Sequence, residues 1–178
     1  MNVRTICLAI LYDGEATGYE IRKLSVEGEY SYFIDASYGS IYPALTQLAG
    51  EGLVTVRAEE QSGKPDKKVY AITPKGVDTL ARSIAVVPGR DKYKSEFLFQ
   101  MLLQEYITPA TMVAAIDKQL SDLQADLARI DECKCAEHPH AGARFVADYG
   151  KAVLTAAVGV LTEKKAELLR QATPQAAE

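Results

Sequence analysis

Ser37-Tyr-Gly-Ser-Ile-Tyr-Pro-Ala-Leu-Thr-Gln-Leu-Ala-Gly-Glu-Gly-Leu53 is the stretch on which the fold turns. Ile41, Leu45 and Leu48 recur at i, i+4 and i+7, which puts them on one face of a helix and leaves Ser40, Tyr42, Pro43, Thr46 and Gln47 mainly on others. Gly52 is a natural C′ residue after Glu51. Ser37 or Ser40 serves as the cap, and Pro43 needs a place in or near the first turn, where its missing N–H costs least. Leu53-Val-Thr-Val-Arg57 and Val69-Tyr-Ala-Ile-Thr73 alternate as strands do. The polar segment between them, residues 59–68, is broken by Gly63 and Pro65 and reads as a loop. A helix that is apolar on one side and small, hydroxylic and aromatic on the other, followed by a basic hairpin, suits the major groove of DNA. The helix reads base edges and the hairpin holds phosphate.

Outward from this stretch the punctuation is regular. Residues 6–11 form a dense apolar helix ending at Asp13-Gly14, and Thr17 with Glu20 makes a capping box for a second helix bearing Tyr19, Ile21 and Leu24. Thr73-Pro74 is a cap followed by proline at N1, opening a helix through Leu80 and Ile84 that Pro88-Gly89 closes. The second half reads as helical throughout: residues 91–105, then a helix opened by Thr108-Pro109, a polar break at residues 133–142, and a last helix over residues 143–172. The expected fold is mainly α with a small β-hairpin wing. An N-terminal winged helix-turn-helix, residues 1–88, precedes a C-terminal helical dimerisation and effector domain, residues 89–178.

Composition bounds the function. The 178 residues carry a net charge of -4, which argues against indiscriminate nucleic-acid binding. Residues 64–75 run the other way, with Lys64, Lys67, Lys68 and Lys75 against Asp66. The longest nearly apolar run, residues 6–12, falls short of the roughly 20 residues a bilayer span needs. No signal peptide is evident, and three cysteines do not make a disulfide framework. The expectation is a cytoplasmic protein with no membrane partner.

Gly18-Tyr-Glu20, Gly39-Ser-Ile-Tyr-Pro-Ala-Leu45, Glu51-Gly-Leu53 and Lys68-Val-Tyr-Ala-Ile-Thr-Pro-Lys-Gly76 resemble the motifs of the PadR family of bacterial winged-helix repressors, over about residues 4–80. The resemblance implies a homodimer on a palindromic operator, a recognition helix at residues 38–51 and a wing at residues 60–68. It places Tyr19, Ser40 and Tyr42 near phosphates. The long helical second half is similar to the larger PadR subfamily in architecture. Family members respond to phenolic acids or planar lipophilic drugs, so a small aromatic ligand is an implied partner.

The residues expected on double-stranded DNA are therefore Tyr19, Ser37, Tyr38, Ser40, Tyr42, Gln47, Lys64, Lys67 and Lys68, with Gly39 and Ala44 permitting close approach. An effector is expected between the winged helix and the C-terminal helices, near Tyr93, Phe97 and Met101. The stripe Met112, Val113, Ile116, Leu120, Leu123, Leu127, Ile130 has more apolar surface than a two-helix appendage hides, which calls for a twin chain. Cys133, Cys135, His138 and His140 are ligand types that suit zinc or copper(I), but C-x-C-x2-H-x-H is not a structural zinc spacing. They read as a polar interhelix loop, and no metal or cofactor is expected. Both histidines fall in that loop and no Gly-Lys-Ser/Thr phosphate loop occurs, so an enzyme is not expected. The competing reading is a winged-helix module that binds protein through an acidic surface. The lysines of the hairpin favour DNA.

Overall fold

A computed structural model describes residues 2–33, 37–61, 64–132 and 140–172; at Glu29, Glu60, Gln61, Lys64, Pro65, Asp66, Gln171 and Ala172 it describes the backbone alone. The chain divides into two units, residues 1–90 and 91–178.

In the first unit α1 (Val3–Asp13) is followed by the two-residue strand β1 (Ala16–Thr17), α2 (Gly18–Val26), a 3-10 turn (Glu29–Tyr32), α3 (Tyr38–Gly50), β2 (Val54–Gln61), β3 (Lys64–Ile72) and α4 (Pro74–Ile84). Ile6, Leu8, Ile10 and Leu11 of α1, Ile21 of α2, Ile41, Leu45 and Leu48 of α3, and Val54 and Tyr70 of the sheet close one core. Asn2 caps α1 by accepting from the Thr5 N–H at 3.0 Å. Thr17 caps α2 as a capping box: its hydroxyl accepts from the Glu20 N–H at 3.2 Å, and Glu20 accepts from the Thr17 N–H at 2.8 Å.

The C-terminus of α3 shows why Glu51-Gly-Leu53 recurs with Thr73-Pro-Lys-Gly76. Gly52 has φ +70, the Leu53 N–H donates to Leu48 O at 2.9 Å and the Gly52 N–H to Ala49 O at 3.0 Å. This is a Schellman closure with buried Leu53 and Leu48 as its apolar pair. The Thr73 N–H and hydroxyl both donate to Leu53 O, each at 3.0 Å, and the hydroxyl accepts from the Gly76 N–H at 3.1 Å. Lys75 Nζ reaches Glu51 O at 2.8 Å. The base of the hairpin and the start of α4 are thus tied to the end of α3.

The sheet has the order β1-β3-β2, all antiparallel. It corrects the expected loop at residues 59–68: both strands run through it, with Ala58 opposite Lys68, Glu59 opposite Lys67 and Gln61 opposite Lys64. Three steps on β3 face two on β2 here, so β3 bulges where Pro65 lies. A bulge is one of the few places a strand accepts proline. The outer ribbon alternates no apolar residues because neither of its faces meets the core, so periodicity alone does not reveal it.

On α3 the place of Pro43 is corrected and the choice of cap falls on Ser37. Pro43 stands in the second turn and not the first, so it cannot donate to the Gly39 carbonyl. Ser37 occupies the N-cap position without a side-chain cap bond; Ser40 instead donates its hydroxyl to Ser37 O at 2.7 Å.

In the second unit α5 is Glu96–Leu102, a 3-10 turn follows at Gln104–Tyr106, and α6 (Pro109–Glu132) precedes α7 (Ala141–Ala172). Residues 91–95 are not helical, contrary to expectation; the helix starts where the Ser95 hydroxyl accepts from the Leu98 N–H at 3.1 Å. Thr108 caps α6 through the Thr111 N–H at 3.1 Å. α6 and α7 pack side by side, with Lys151 paired to Asp131 at 2.6 Å and Lys165 to Asp117. Of the α6 stripe only Met112 and Ile116 are fully buried, and Phe145, Val146, Tyr149, Val153 and Val160 of α7 are exposed. In length and composition alone α7 is apolar enough to cross a bilayer, a feature that unbroken apolar runs do not reveal because Asp148 and Lys151 interrupt it. That is weak evidence for a span, since a helix that packs against other helices meets the same criterion.

Candidate nucleic-acid interface

The core face of α3 is Ile41, Ala44, Leu45 and Leu48. Burial of Ala44 removes it from the expected DNA-facing set; a small residue there lets α3 sit close to the core. Tyr42, Thr46 and Gln47 are exposed on the rest of the helix. Thr46 donates its hydroxyl back to Tyr42 O at 3.0 Å, and Gln47 stands in solvent. Nothing lies within 4 Å of a Cβ built on Gly39, so close approach there stays open. Ser37 is exposed and Ser40 half-buried.

Tyr42 is held as well as exposed. A Cβ on Gly18 would lie 2.8 Å from Tyr42 Cε1 and 3.6 Å from Tyr70 Cε2. Gly18 therefore admits the Tyr42 ring at the start of α2, which accounts for glycine in the Gly18-Tyr-Glu20 motif. Tyr70, pushed up in pKa mainly by burial, lies close enough for its phenol to feel Tyr42.

The second cluster joins α2 to the start of α3. The Arg22 guanidinium lies 5.2 Å from the centroid of the Tyr19 ring and 4.8 Å from that of Tyr38. The Tyr38 hydroxyl donates to Glu27, and this bond is the main reason the phenol is held above its ordinary pKa. Tyr19 and Tyr38 nonetheless remain 58% and 44% exposed, so the cluster is part of the surface. Arg22 was absent from the residues expected on DNA. Its signal was its place three residues after Tyr19, on the same helix face, but the partner ring on α3 lies 16 positions away in sequence.

The ribbon carries the lysines. Lys67 and Lys68 are exposed neighbours on β3, so they point to opposite faces. Lys67 shares its face with Glu59, and Lys68 shares its face with Tyr70. Hydrogen bonds from the Thr17 N–H and hydroxyl hold Glu20 below the usual carboxylate range, and the positive charge of Lys67 adds to this. Arg57 pairs with Glu15 at 2.7 Å in solvent, where water screens the pair and leaves it little weight in stability. The Lys64 side chain lies outside the described residues, as do Cys133, Cys135 and His138; His140 is exposed. Among the described residues no group of three His, Cys, Asp or Glu side chains could hold a metal. Tyr93 is exposed, while Phe97 and Met101 are half-buried in the second unit.

The family model described as "Transcriptional regulator PadR-like family" matches residues 7–82, the whole of this arrangement from α1 into α4. A PadR-like transcriptional regulator of Bacillus cereus, BC1756, has a solved structure that is 30% identical and aligns over 93% of this chain and 94% of that one, with a TM-score of 0.78. The chain belongs to the PadR-like family of transcriptional regulators. Its N-terminal unit is the family's winged helix, with the small three-stranded antiparallel sheet as its wing. The negative transcriptional regulator PadR of Bacillus subtilis is 31% identical over 121 residues, which cover 67% of this chain and 66% of that relative. Solved with operator DNA, B. subtilis PadR is 25% identical over 93% of this chain and 98% of that one, with a TM-score of 0.72. A structure of it with p-coumaric acid, 24% identical over 94% of this chain and 99% of that one at a TM-score of 0.66, shows the likeness of fold.

Proposed function

We propose that the chain is a homodimeric repressor that binds a palindromic operator and is released by a small aromatic effector. One observation carries the DNA reading: a single unit holds α3 by its Ile41–Leu45–Leu48 face, leaves Tyr42, Thr46 and Gln47 in solvent, and sets the lysine-bearing ribbon next in the chain. Winged-helix proteins divide the labour in this way, with a helix at base edges and a ribbon at phosphate. The structure of the B. subtilis relative with operator DNA supports the same reading. Tyr19, Ser37, Tyr38, Ser40, Tyr42 and Gln47, with Lys64, Lys67 and Lys68, are the DNA-binding residues of this proposal. A protein that acts on chromosomal operators works in the cytoplasm.

Residues 89–178 are the proposed dimerisation and effector domain. The exposed Phe145, Val146, Tyr149, Val153 and Val160 of α7 offer an apolar face whose burial against a twin chain gives the twofold symmetry a palindrome needs. Tyr93, Phe97 and Met101 are the proposed effector contacts, and p-coumaric acid, the ligand of the B. subtilis relative, indicates phenolic acids as the class to try.

Binding of the purified chain to the DNA upstream of its own coding region, titrated with salt and then with a phenolic-acid panel, tests all of this. A salt-dependent shift that a phenolic acid reverses is the expected result. No shift at low salt would favour the protein-binding module instead. Sedimentation that gives a 19.4 kDa species at every concentration would remove the dimer.

A further inference from the structure

We infer that Arg22 is a phosphate-contacting residue of the DNA interface, held against the rings of Tyr19 and Tyr38 and without an ion-pair partner among the described residues, so that the nucleic acid supplies its counter-charge. The inference rests on the DNA-binding reading above.

The observation is an unneutralised cation where a cation is disfavoured. Tyr38 is the first residue of α3, so the guanidinium 4.8 Å from its ring stands beside a helix N-terminus, the positive end of the backbone dipole. Among the described residues Arg22 makes no ion pair. Its Nε is buried and meets no hydrogen-bond acceptor. A carboxylate stands nearby: Glu27, the C-cap residue of the same helix, accepts from the Tyr38 hydroxyl. Glu27 is thus engaged by a neutral donor while the guanidinium keeps its full charge.

Two phenol faces compensate only part of that cost. A ring face attracts the guanidinium through its quadrupole but supplies no opposite charge. A planar guanidinium whose face lies against a ring presents its edge, the fork that matches phosphate oxygens. Both rings are part of the surface at the start of α3, the side that the DNA-binding reading sets against the duplex backbone. Every nucleotide step carries the same phosphate, so the contact contributes affinity without sequence preference.

The test measures how binding of a random-sequence 20-base-pair duplex depends on salt, for the full chain and for R22Q, R22K and Y38F. A chain that fails to bind this duplex at low salt removes the DNA-binding reading itself, before any variant is compared. If it binds, the slope of log affinity against log salt is shallower in R22Q by about 0.9 for each phosphate that Arg22 neutralises in the parent. R22K, which keeps the charge, and Y38F, which keeps both rings, hold the parent slope. An R22Q slope equal to the parent's, whatever the loss of affinity, would overturn the inference and leave Arg22 a packing residue. A second readout needs no charge removal. The Arg22 Nε–Hε proton resonance, assigned by its absence from R22K, shifts when the duplex is added to the parent chain, and a resonance that stays put would overturn the inference even if R22Q failed to fold.

Discussion

Replacing Gly76 by alanine should loosen the joint that holds the wing to α3. The added Cβ would fall inside van der Waals contact of Leu53 O, 3.2 Å from Leu53 C and 2.7 Å from Ile72 Cγ1. Leu53 O cannot yield easily, because the Thr73 N–H and hydroxyl both donate to it at 3.0 Å. Overpacking of this kind costs about 1–3 kcal/mol, and a backbone obstacle puts it at the upper end. Alanine returns up to about 1 kcal/mol of helix propensity, which leaves a net loss of about 2 kcal/mol. For a unit of this size each kcal/mol moves the melting temperature by about 4–8 °C, so G76A should melt about 8–16 °C below the parent chain. Thermal unfolding followed by circular dichroism measures it. Gly50→Ala is the control: nothing lies within 4 Å of its Cβ, so it should be neutral or gain up to about 1 kcal/mol. A G76A chain that melts with the parent, or above it, would refute the close approach of α4 to the end of α3.

Exchanging Lys64, Lys67 and Lys68 for alanine together should weaken binding to operator and random duplex alike and flatten the salt slope, as measured by titration at several salt concentrations; a loss confined to the operator would show that the ribbon reads bases. Gln47→Ala should reduce DNA affinity with no change in melting temperature, whereas Tyr42→Ala should reduce both, because its ring fills the space that Gly18 leaves open. Burial pushes the Cys7 thiol up from 9.0 to about 12. In a chain with Cys133 and Cys135 changed to serine, a thiol reagent at pH 8 should therefore label Cys7 only after denaturant is added. The sign of the linkage follows: Cys7 contributes its full stability below about pH 9, where neither state ionises, and loses it as pH climbs toward 12 and the unfolded chain alone releases the proton.

Local chemistry made much of the first unit legible. The capping box at Thr17 and Glu20, the C′ glycine at 52 and the Thr73-Pro74 opening each act through neighbours a few residues away, and the structure contains all three. The stripe Ile41, Leu45, Leu48 likewise names its own face. What stayed hidden depends on distant partners or on none. The outer ribbon touches no core, so its alternation carries no apolar mark, and β1 is two residues whose partner strand β3 lies more than 50 positions on. Ala44 looked available to DNA because smallness serves a tight core and a tight groove equally well. The Arg22 cluster needed Tyr38 brought beside α2, which no periodicity announces.

The hairpin is fastened at its root. Thr73 and Lys75 bind it to Glu51, Gly52 and Leu53, and away from that root the two strands are joined by their own cross-strand pairing. Aim and reach are thereby separable. Residues inserted in pairs between Gln61 and Lys64 would lengthen the arm without turning α3, so the reach of the lysines can change while the helix keeps its aim.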